Sequence, residues 1–269
     1  MKENKGVHMS GGRIEAGALA VGDHAVARHI GGAQDPDDPH DKDARGDANE
    51  PDRRDDPPQG DGADKPGAGG SSAAPGSAVH RTILVVDVES FSDRRRTAPH
   101  QIAVRNGLYG ALHKAFDGAG IPWDECYRED RGDGVFLLAP PEVPKQLFVE
   151  ALPHRLVAAL REHNEIHADR SRIRLRMALH AGEVRHDEQG VTGEALIRAF
   201  RLVDAGSLKA ELAASPGVLA MIMSSWFFDE VVRHSAAATV PGDHREIRVT
   251  VKETDTTAWI HLPDHQAPQ

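Results

Sequence analysis

The chain has little of what would place it outside the cytoplasm or on a nucleic acid. It holds one cysteine, Cys126, in 269 residues, so no internal disulfide is possible and a reducing compartment is expected. It has no run of about 18 apolar residues, which a membrane span needs, and the first residues, MKENKGVHMSGG, lack the apolar core of a signal peptide. The formal net charge of -10 argues against a broad basic surface. We therefore expect a cytoplasmic protein that binds neither membrane nor nucleic acid.

The scarcity of aromatic residues divides the chain. They make up 4% of the sequence, and residues 1–78 hold none of them. This stretch is rich in Gly, Asp and Pro, and such a composition cannot bury enough apolar surface to offset the entropy of ordering. We predict a mostly disordered acidic tail over residues 1–79, with a candidate segment for docking onto a protein partner at 11–32. The folded domain is predicted over 80–263, and residues 264–269 form a short C-terminal tail.

Apolar periodicity from residue 79 onward predicts alternating strands and helices. Strands are expected at 81–88, 123–130, 134–139, 172–184 and 217–224, followed by a closing pair, HREIRVTVKE and TAWIHLP. Helices are expected at 99–120, 143–167, 193–214 and around 225–233. This order predicts an α+β domain in which a ferredoxin-like, mostly antiparallel sheet carries helices on one face.

Two aspartates stand at comparable places in this predicted sheet. Asp87 ends the first strand, and Asp133 lies at the tip of the hairpin YREDRGDGVFLL. A ferredoxin-like sheet would place the two strands side by side, so the carboxylates would converge at one edge. Converging carboxylates repel each other unless a cation lies between them, and Mg²⁺ takes one or two carboxylates plus phosphate oxygens. The passage after Asp87, VESFS (88–92), would offer backbone N–H groups to a phosphate.

Several segments carry a recognisable order of motifs. LVVDVESFS has an Asp followed by Phe and Ser, EDRGDGVFLL is a Gly-Asp hairpin, and LRMALHAGEV is a strand with Arg and His. TGEALIRAFRLVDA is a Gly-led helix with an Arg, and RVTVKETDTTAWIHL is a closing hairpin with a Lys. In this order, across roughly residues 80–263, the segments resemble the motifs of class III adenylate and guanylate cyclase catalytic domains.

The resemblance implies a head-to-tail homodimer with composite sites at its interface. Such a dimer converts a purine nucleoside triphosphate to a 3′,5′-cyclic nucleotide and pyrophosphate. The resemblance assigns two Mg²⁺ or Mn²⁺ ions per site to Asp87, Asp133 and the carbonyl of Val88.

The resemblance also implies the residues that hold the substrate. Phe91 and Ser92 would lie against the phosphates, and Lys252 would hold the terminal phosphates. Arg201 would stabilise charge on the α-phosphate as the catalytic arginine. Glu129, four residues before Asp133, takes a base-reading position, where a carboxylate accepts hydrogen bonds from guanine N1–H and N2–H₂. GTP is therefore expected to be favoured over ATP.

Two positions depart from the family pattern. Gly190 takes the other base-reading position without a side chain, and Ile197 stands where the family has an Asn. The alternative hypothesis is therefore a catalytically degenerate cyclase-homology domain that binds nucleotide or a protein partner as a regulatory module. A diguanylate-cyclase-like domain is disfavoured, since its Gly-Gly-acidic hairpin is absent from the sequence.

Overall fold

The computed structural model describes residues 77–235 and 244–264. The predicted docking segment at 11–32 and nearly all of the predicted N-terminal tail lie outside these ranges, as do residues 265–269. The strands are β1 (Ala78–Val88), β2 (Tyr127–Asp130), β3 (Gly134–Ala139), β4 (Leu175–Asp187), β5 (Gly190–Thr192), β6 (Leu219–Ser224), β7 (His244–Val251) and β8 (Thr254–His261). The helices are α1 (Ala98–Ala119), α2 (Leu152–Ile166), α3 (Glu194–Val203), α4 (Gly206–Ala214) and α5 (Ser225–Glu230).

The strands pair into one sheet in the order β2-β3-β1-β4-β6-β8-β7, and β5 adds to β4. The pairing of β4 with β6 is parallel, and the other pairings are antiparallel. The predicted mostly antiparallel α+β sheet is therefore confirmed. Because β1 lies between β3 and β4, the first strand and the hairpin are neighbours, as the sequence predicted.

Apolar residues cover both faces of β1. Ile83, Leu84, Val85 and Val86 are all at most 2% exposed. Leu84 and Val86 pack with α1 and α2, whereas Ile83 and Val85 pack with α3 and α4 on the opposite face. The expectation of helices on one face is therefore corrected. The physical reason is already present in the sequence, since a strand that is apolar at every position must be covered on both sides.

Local signals explain where the helices begin and end. Pro99 lies in the first turn of α1, and Gly120 ends the helix with a φ of 72°. The predicted helix over 193–214 is interrupted at Ala205, whose ψ of 128° separates α3 from α4. Pro153 lies in the first turn of α2, where backbone N–H groups have no intrahelical acceptor, so its missing N–H costs the helix no hydrogen bond. Among the described residues, no helix has the length and apolar character that crossing a membrane requires.

Candidate functional site

The carboxyl end of β1 brings together the two aspartates that the sequence singled out. Asp87 faces Gly134 in the register of β1 with β3, and Asp133 immediately precedes that glycine. The backbone N–H of Val88 donates to the carbonyl oxygen of Asp133 at 2.9 Å. This hydrogen bond ties the end of β1 to the turn before β3, next to the two aspartates. Val88 itself is buried at this point.

Gly134 allows the hairpin to approach β1 this closely. A Cβ atom at this position would lie 2.1 Å from the carbonyl oxygen of Val86 and 3.1 Å from the Cα atom of Asp87. Both contacts are with backbone atoms, which cannot turn aside as a flexible side chain can. The glycine before the apolar run of β3 is therefore required by the close contact between the strands.

Arg176 on β4 is the immediate partner of Asp87. The two residues face each other in the β1–β4 register, and the Arg176 guanidinium donates to Asp87 Oδ2. Burial nevertheless raises the pKa of Asp87 from 3.8 to about 6; Arg176 lowers it, whereas Asp133 and Asp204 raise it further. One arginine therefore does not offset the combined effect of burial and two neighbouring carboxylates.

A divalent cation beside Asp87 would offset the cost of holding this buried carboxylate in its charged form. Asp87 and Asp133 supply carboxylate oxygens, which Mg²⁺ prefers, and Mg²⁺ sites commonly use one or two carboxylates plus substrate phosphates. Within residues 77–235 and 244–264, no group of three or more His, Cys, Asp or Glu side chains is arranged to hold a metal. Oxygens of the substrate or water would therefore have to complete the coordination.

A network from α1 holds the tip of the hairpin. Arg105 donates to both carboxylate oxygens of Asp130, at 2.9 and 2.6 Å, and to the carbonyl oxygen of Gly132 at 2.7 Å. Tyr109 Oη donates to Asp130 at 2.7 Å, and the N–H of Gly132 donates to the same carboxylate at 2.8 Å. Asp130 thereby fixes the turn in which Asp133 lies.

The loop after β1 is anchored at Glu89. Arg174 pairs with its carboxylate at 2.8 Å and also donates to the carbonyl oxygen of Gly217 at 3.0 Å. The N–H of Glu89 donates to the carbonyl oxygen of Arg174 at 2.9 Å. Phe91 packs against the core on the α1 side, and Ser92 is exposed. Of the two predicted phosphate-side residues, Phe91 therefore anchors the loop and Ser92 faces outward.

The two predicted base-reading positions lie next to each other. A Cβ atom at Gly190 would be 3.7 Å from Glu129 Oε2 and 3.8 Å from Tyr127 Oη. Glu129 accepts hydrogen bonds from Tyr127 Oη at 3.2 Å and from Arg131 at 2.7 Å. A hydrogen bond to each carboxylate oxygen therefore fixes the orientation of the Glu129 side chain.

Arg201 and Lys252 form a second group. Ile197 and Arg201 are one turn apart on α3; Ile197 is 43% exposed, and the Arg201 guanidinium donates to Glu253 at 3.0 Å. Glu253 lies in the turn between β7 and β8 beside Lys252, which adopts a positive φ of 51°. Lys252 thus lies in a hairpin turn, adjacent to the residue that Arg201 binds.

Sequence reasoning did not single out Arg176 or Asp204. Arg176 interrupts the otherwise apolar alternation of LRMALHA, and a basic residue on a buried strand indicates a buried acidic partner. Asp204 ends α3, and its proximity to Asp87 depends on how that helix packs across the sheet. No short motif carries that information.

No protein-family model matches the chain, and no curated protein sequence matches it. Similar solved structures include the guanylyl cyclase Cya2, with 18% identity, coverage of 70% of this chain and 93% of that one, and a TM-score of 0.49. An adenylate/guanylate cyclase/hydrolase from Silicibacter pomeroyi has 17% identity, coverage of 70% and 99%, and a TM-score of 0.48. The adenylyl cyclase CyaB from P. aeruginosa has 13% identity, coverage of 71% and 98%, and a TM-score of 0.48. Identities and TM-scores of this size assign no activity to the chain.

Proposed function

We propose that this chain is a purine nucleotidyl cyclase of the cytoplasm whose site is completed by a second copy of the chain. The observation that carries the proposal is the pair Asp87 and Asp133 at the carboxyl end of β1, where burial, Asp133 and Asp204 disfavour the charged form of Asp87 more than Arg176 favours it. Two Mg²⁺ or Mn²⁺ ions held there with the carbonyl of Val88 would supply positive charge to the ribose 3′-hydroxyl and the α-phosphate. The reaction is attack of that hydroxyl on the α-phosphate, with release of pyrophosphate.

We assign the remaining roles from the resemblance, and the positions of two of these side chains support the assignment. Arg201 offers a permanently charged guanidinium to the α-phosphate, and its ion pair with Glu253 keeps it beside the turn that carries Lys252. Lys252 would offer an ammonium group to the terminal phosphates, and Phe91 and Ser92 would lie against the phosphates, as the resemblance assigns them. GTP is the favoured substrate because Glu129 offers a carboxylate to the guanine N–H groups.

A regulatory module that binds nucleotide without turnover is the second candidate, and Ile197 favours it. Its aliphatic side chain is exposed on α3 where the resemblance places an Asn. A side chain without a donor cannot hydrogen-bond the ribose region, and losing one such group typically lowers the rate ~10²–10³-fold.

One set of measurements distinguishes the two candidates. The full chain is incubated with GTP or ATP and Mn²⁺ at concentrations where sedimentation shows a dimer, and cyclic nucleotide, pyrophosphate and nucleotide binding are measured. The cyclase proposal expects product that Asp133→Asn abolishes, whereas the exposed control Asp117→Asn on α1 retains it. Mn²⁺-dependent binding without product, also lost in Asp133→Asn, supports the regulatory module. In that case Ile197→Asn should raise turnover toward a measurable level. Absence of both binding and product from the dimer refutes both candidates.

A further inference from the structure

An open groove of about 450 Å³ lies beside the start of β1, away from the two aspartates. His80, which lines the groove, precedes Asp87 by seven residues on the same strand, so about 23 Å separates the two at about 3.3 Å per residue. The loop after β3 forms one wall, and residues 226–231 form the other. The buried side chains of Val143 and Val231 line the groove from these two walls. Its volume is typical of a ligand site.

Prolines and backbone hydrogen bonds hold the loop wall in place. Pro141 and Pro144 line the groove, and the ring of each fixes its own φ. The N–H of Val143 donates to the carbonyl oxygen of Pro140 at 3.2 Å, and the N–H of Leu147 donates to that of Pro144 at 3.2 Å. A wall held in this way loses little freedom when a ligand binds.

Trp226 on α5 presents an aromatic face to this groove. Its side chain lines the groove and is 42% exposed. In the part of the chain that the structure describes, its ring contacts are inclined rather than stacked: His80 lies 5.7 Å away at 58°, and Phe227 lies 6.5 Å away at 66°. The face of the indole is therefore open to a ligand.

The other two tryptophans of the chain have covered faces. Trp123 is buried, and the Arg128 guanidinium lies over its ring, 4.6 Å from the centroid. Trp259 is stacked on Phe228, with the ring centroids 3.7 Å apart. The open face of Trp226 is thus an exception within this chain, and Trp123 shows the kind of cation that an indole accepts.

Two glutamates on opposite walls give the groove a negative charge. Glu142 on the loop and Glu230 at the end of α5 are exposed, and neither forms an ion pair within residues 77–235 and 244–264. Lys145 also lines the loop wall, so the carboxylates outnumber the ammonium group. Over the same ranges, no three His, Cys, Asp or Glu side chains are arranged to hold a metal ion. The charge and the indole together fit an organic cation.

We propose that this groove binds an arginine side chain of a partner protein, with its guanidinium stacked on Trp226 between Glu142 and Glu230. A guanidinium is planar, stacks on aromatic faces and carries N–H donors along its edges, which suits an indole flanked by two carboxylates. A lysine ammonium offers no plane to stack. The inference is independent of the proposed function, because the groove contains none of the residues assigned to metal or nucleotide.

The test titrates the isotope-labelled full chain with acetyl-Gly-Arg-Gly-amide and follows the indole N–H resonances. The resonance of Trp226 is identified by its loss in Trp226→Phe. The same peptide with citrulline in place of arginine keeps the shape of the side chain and removes its charge. The arginine peptide should shift the Trp226 resonance, and the citrulline peptide should bind about 10-fold more weakly.

Variants of the groove separate the contributions of the carboxylates and the indole. Glu142→Gln and Glu230→Gln should each weaken the arginine peptide about 2–5-fold. Glu165→Gln removes the same charge from an exposed position of α2 outside the groove, so it should leave the affinity unchanged. Trp226→Leu, followed through the backbone amide of Val231, should weaken the peptide about 2–5-fold. Circular dichroism confirms that each variant is folded.

Several results would overturn the proposal. These are no shift of the Trp226 resonance at millimolar peptide, equal affinities for the arginine and citrulline peptides, or an affinity that neither glutamine variant lowers. Tighter binding of the matching lysine peptide would overturn the assignment of a guanidinium. A Trp226 resonance that moves when the protein alone is diluted would show that a second copy of the chain covers the groove instead.

Discussion

Replacing Asp87 with Asn tests whether the charge at the end of β1 is held there for function at the expense of stability. The carboxylate is largely buried, and its pKa is raised from 3.8 to about 6, first by burial and also by Asp133 and Asp204. Asn has nearly the same shape, keeps a carbonyl oxygen for Arg176 and carries no charge. We therefore expect the variant to be more stable than the wild type at neutral pH without metal.

The magnitude follows from proton linkage. The folded state holds the Asp87 proton more tightly than the unfolded chain does, so the free energy of unfolding falls as the pH rises from about 4 to about 6. A pKa difference of about two units corresponds to about 3 kcal/mol at pH 7.5 and about half that at pH 5. Any weakening of the Arg176 ion pair in the variant reduces the gain, so about 3 kcal/mol is the upper value.

Urea denaturation in EDTA at pH 7.5 and pH 5 measures this difference. Asp117→Asn is the control, because it makes the same change in net charge at an exposed position of α1. The free energy of unfolding of the Asp87 variant should exceed that of the wild type at pH 7.5, and the difference should be smaller at pH 5. Adding Mn²⁺ with GTP should stabilise the wild type and not the variant. A variant that is less stable than the wild type at pH 7.5 in EDTA refutes the reasoning.

Two further predictions concern a close contact and a buried histidine. Gly134→Ala should destabilise the protein by at least about 1–3 kcal/mol, because its Cβ would lie 2.1 Å from a backbone oxygen, and it should abolish Asp133-dependent nucleotide binding. Gly110 has no atom within 4 Å of the position of a Cβ, so Gly110→Ala should instead stabilise α1 by about 0.5–1 kcal/mol. Equal effects of the two alanines in thermal unfolding would contradict this account. His180 is buried with Nδ1 2.7 Å from Ser224 Oγ, and its pKa is lowered from 6.5 to about 4, first by burial. The unfolded chain therefore binds this proton first as the pH falls, so His180 by itself should lower the free energy of unfolding by about 3 kcal/mol between pH 6.5 and pH 4, opposite in sign to the contribution of Asp87. In urea denaturation, the difference in free energy of unfolding between His180→Gln and the wild type should therefore shift in favour of the variant by that amount over the same pH range.

Local patterns predicted the elements well where they are strongly periodic. The Pro-to-Gly frame of α1 gave both ends of that helix to within one residue, and the β-branched run gave the end of β1, which begins three residues earlier than predicted. The break between α3 and α4 was missed because helix formers precede and follow it, although the weak helix formers Asp204 and Gly206 flank the turn at Ala205.

The candidate site was predictable only in part, for a related reason. Asp87 and Asp133 could be placed together because short local sequence patterns predict where strands end and where turns lie. Arg176 meets Asp87 through the β1–β4 register, and Arg105 meets Asp130 through the packing of α1. Both partners are distant in sequence, so no local spacing could have paired them.

The alternation of side chains along β2 gives two consecutive acidic residues opposite tasks. Asp130 points toward α1 and fixes the turn that carries Asp133, whereas Glu129 points to the other face and stands beside Gly190. A slip of one residue in the pairing of β2 with β3 would exchange the two carboxylates between the faces. Such a slip would remove the anchor of the turn and move Glu129 away from Gly190 in a single step. One hairpin register therefore sets both the turn that carries Asp133 and the position of Glu129 beside Gly190.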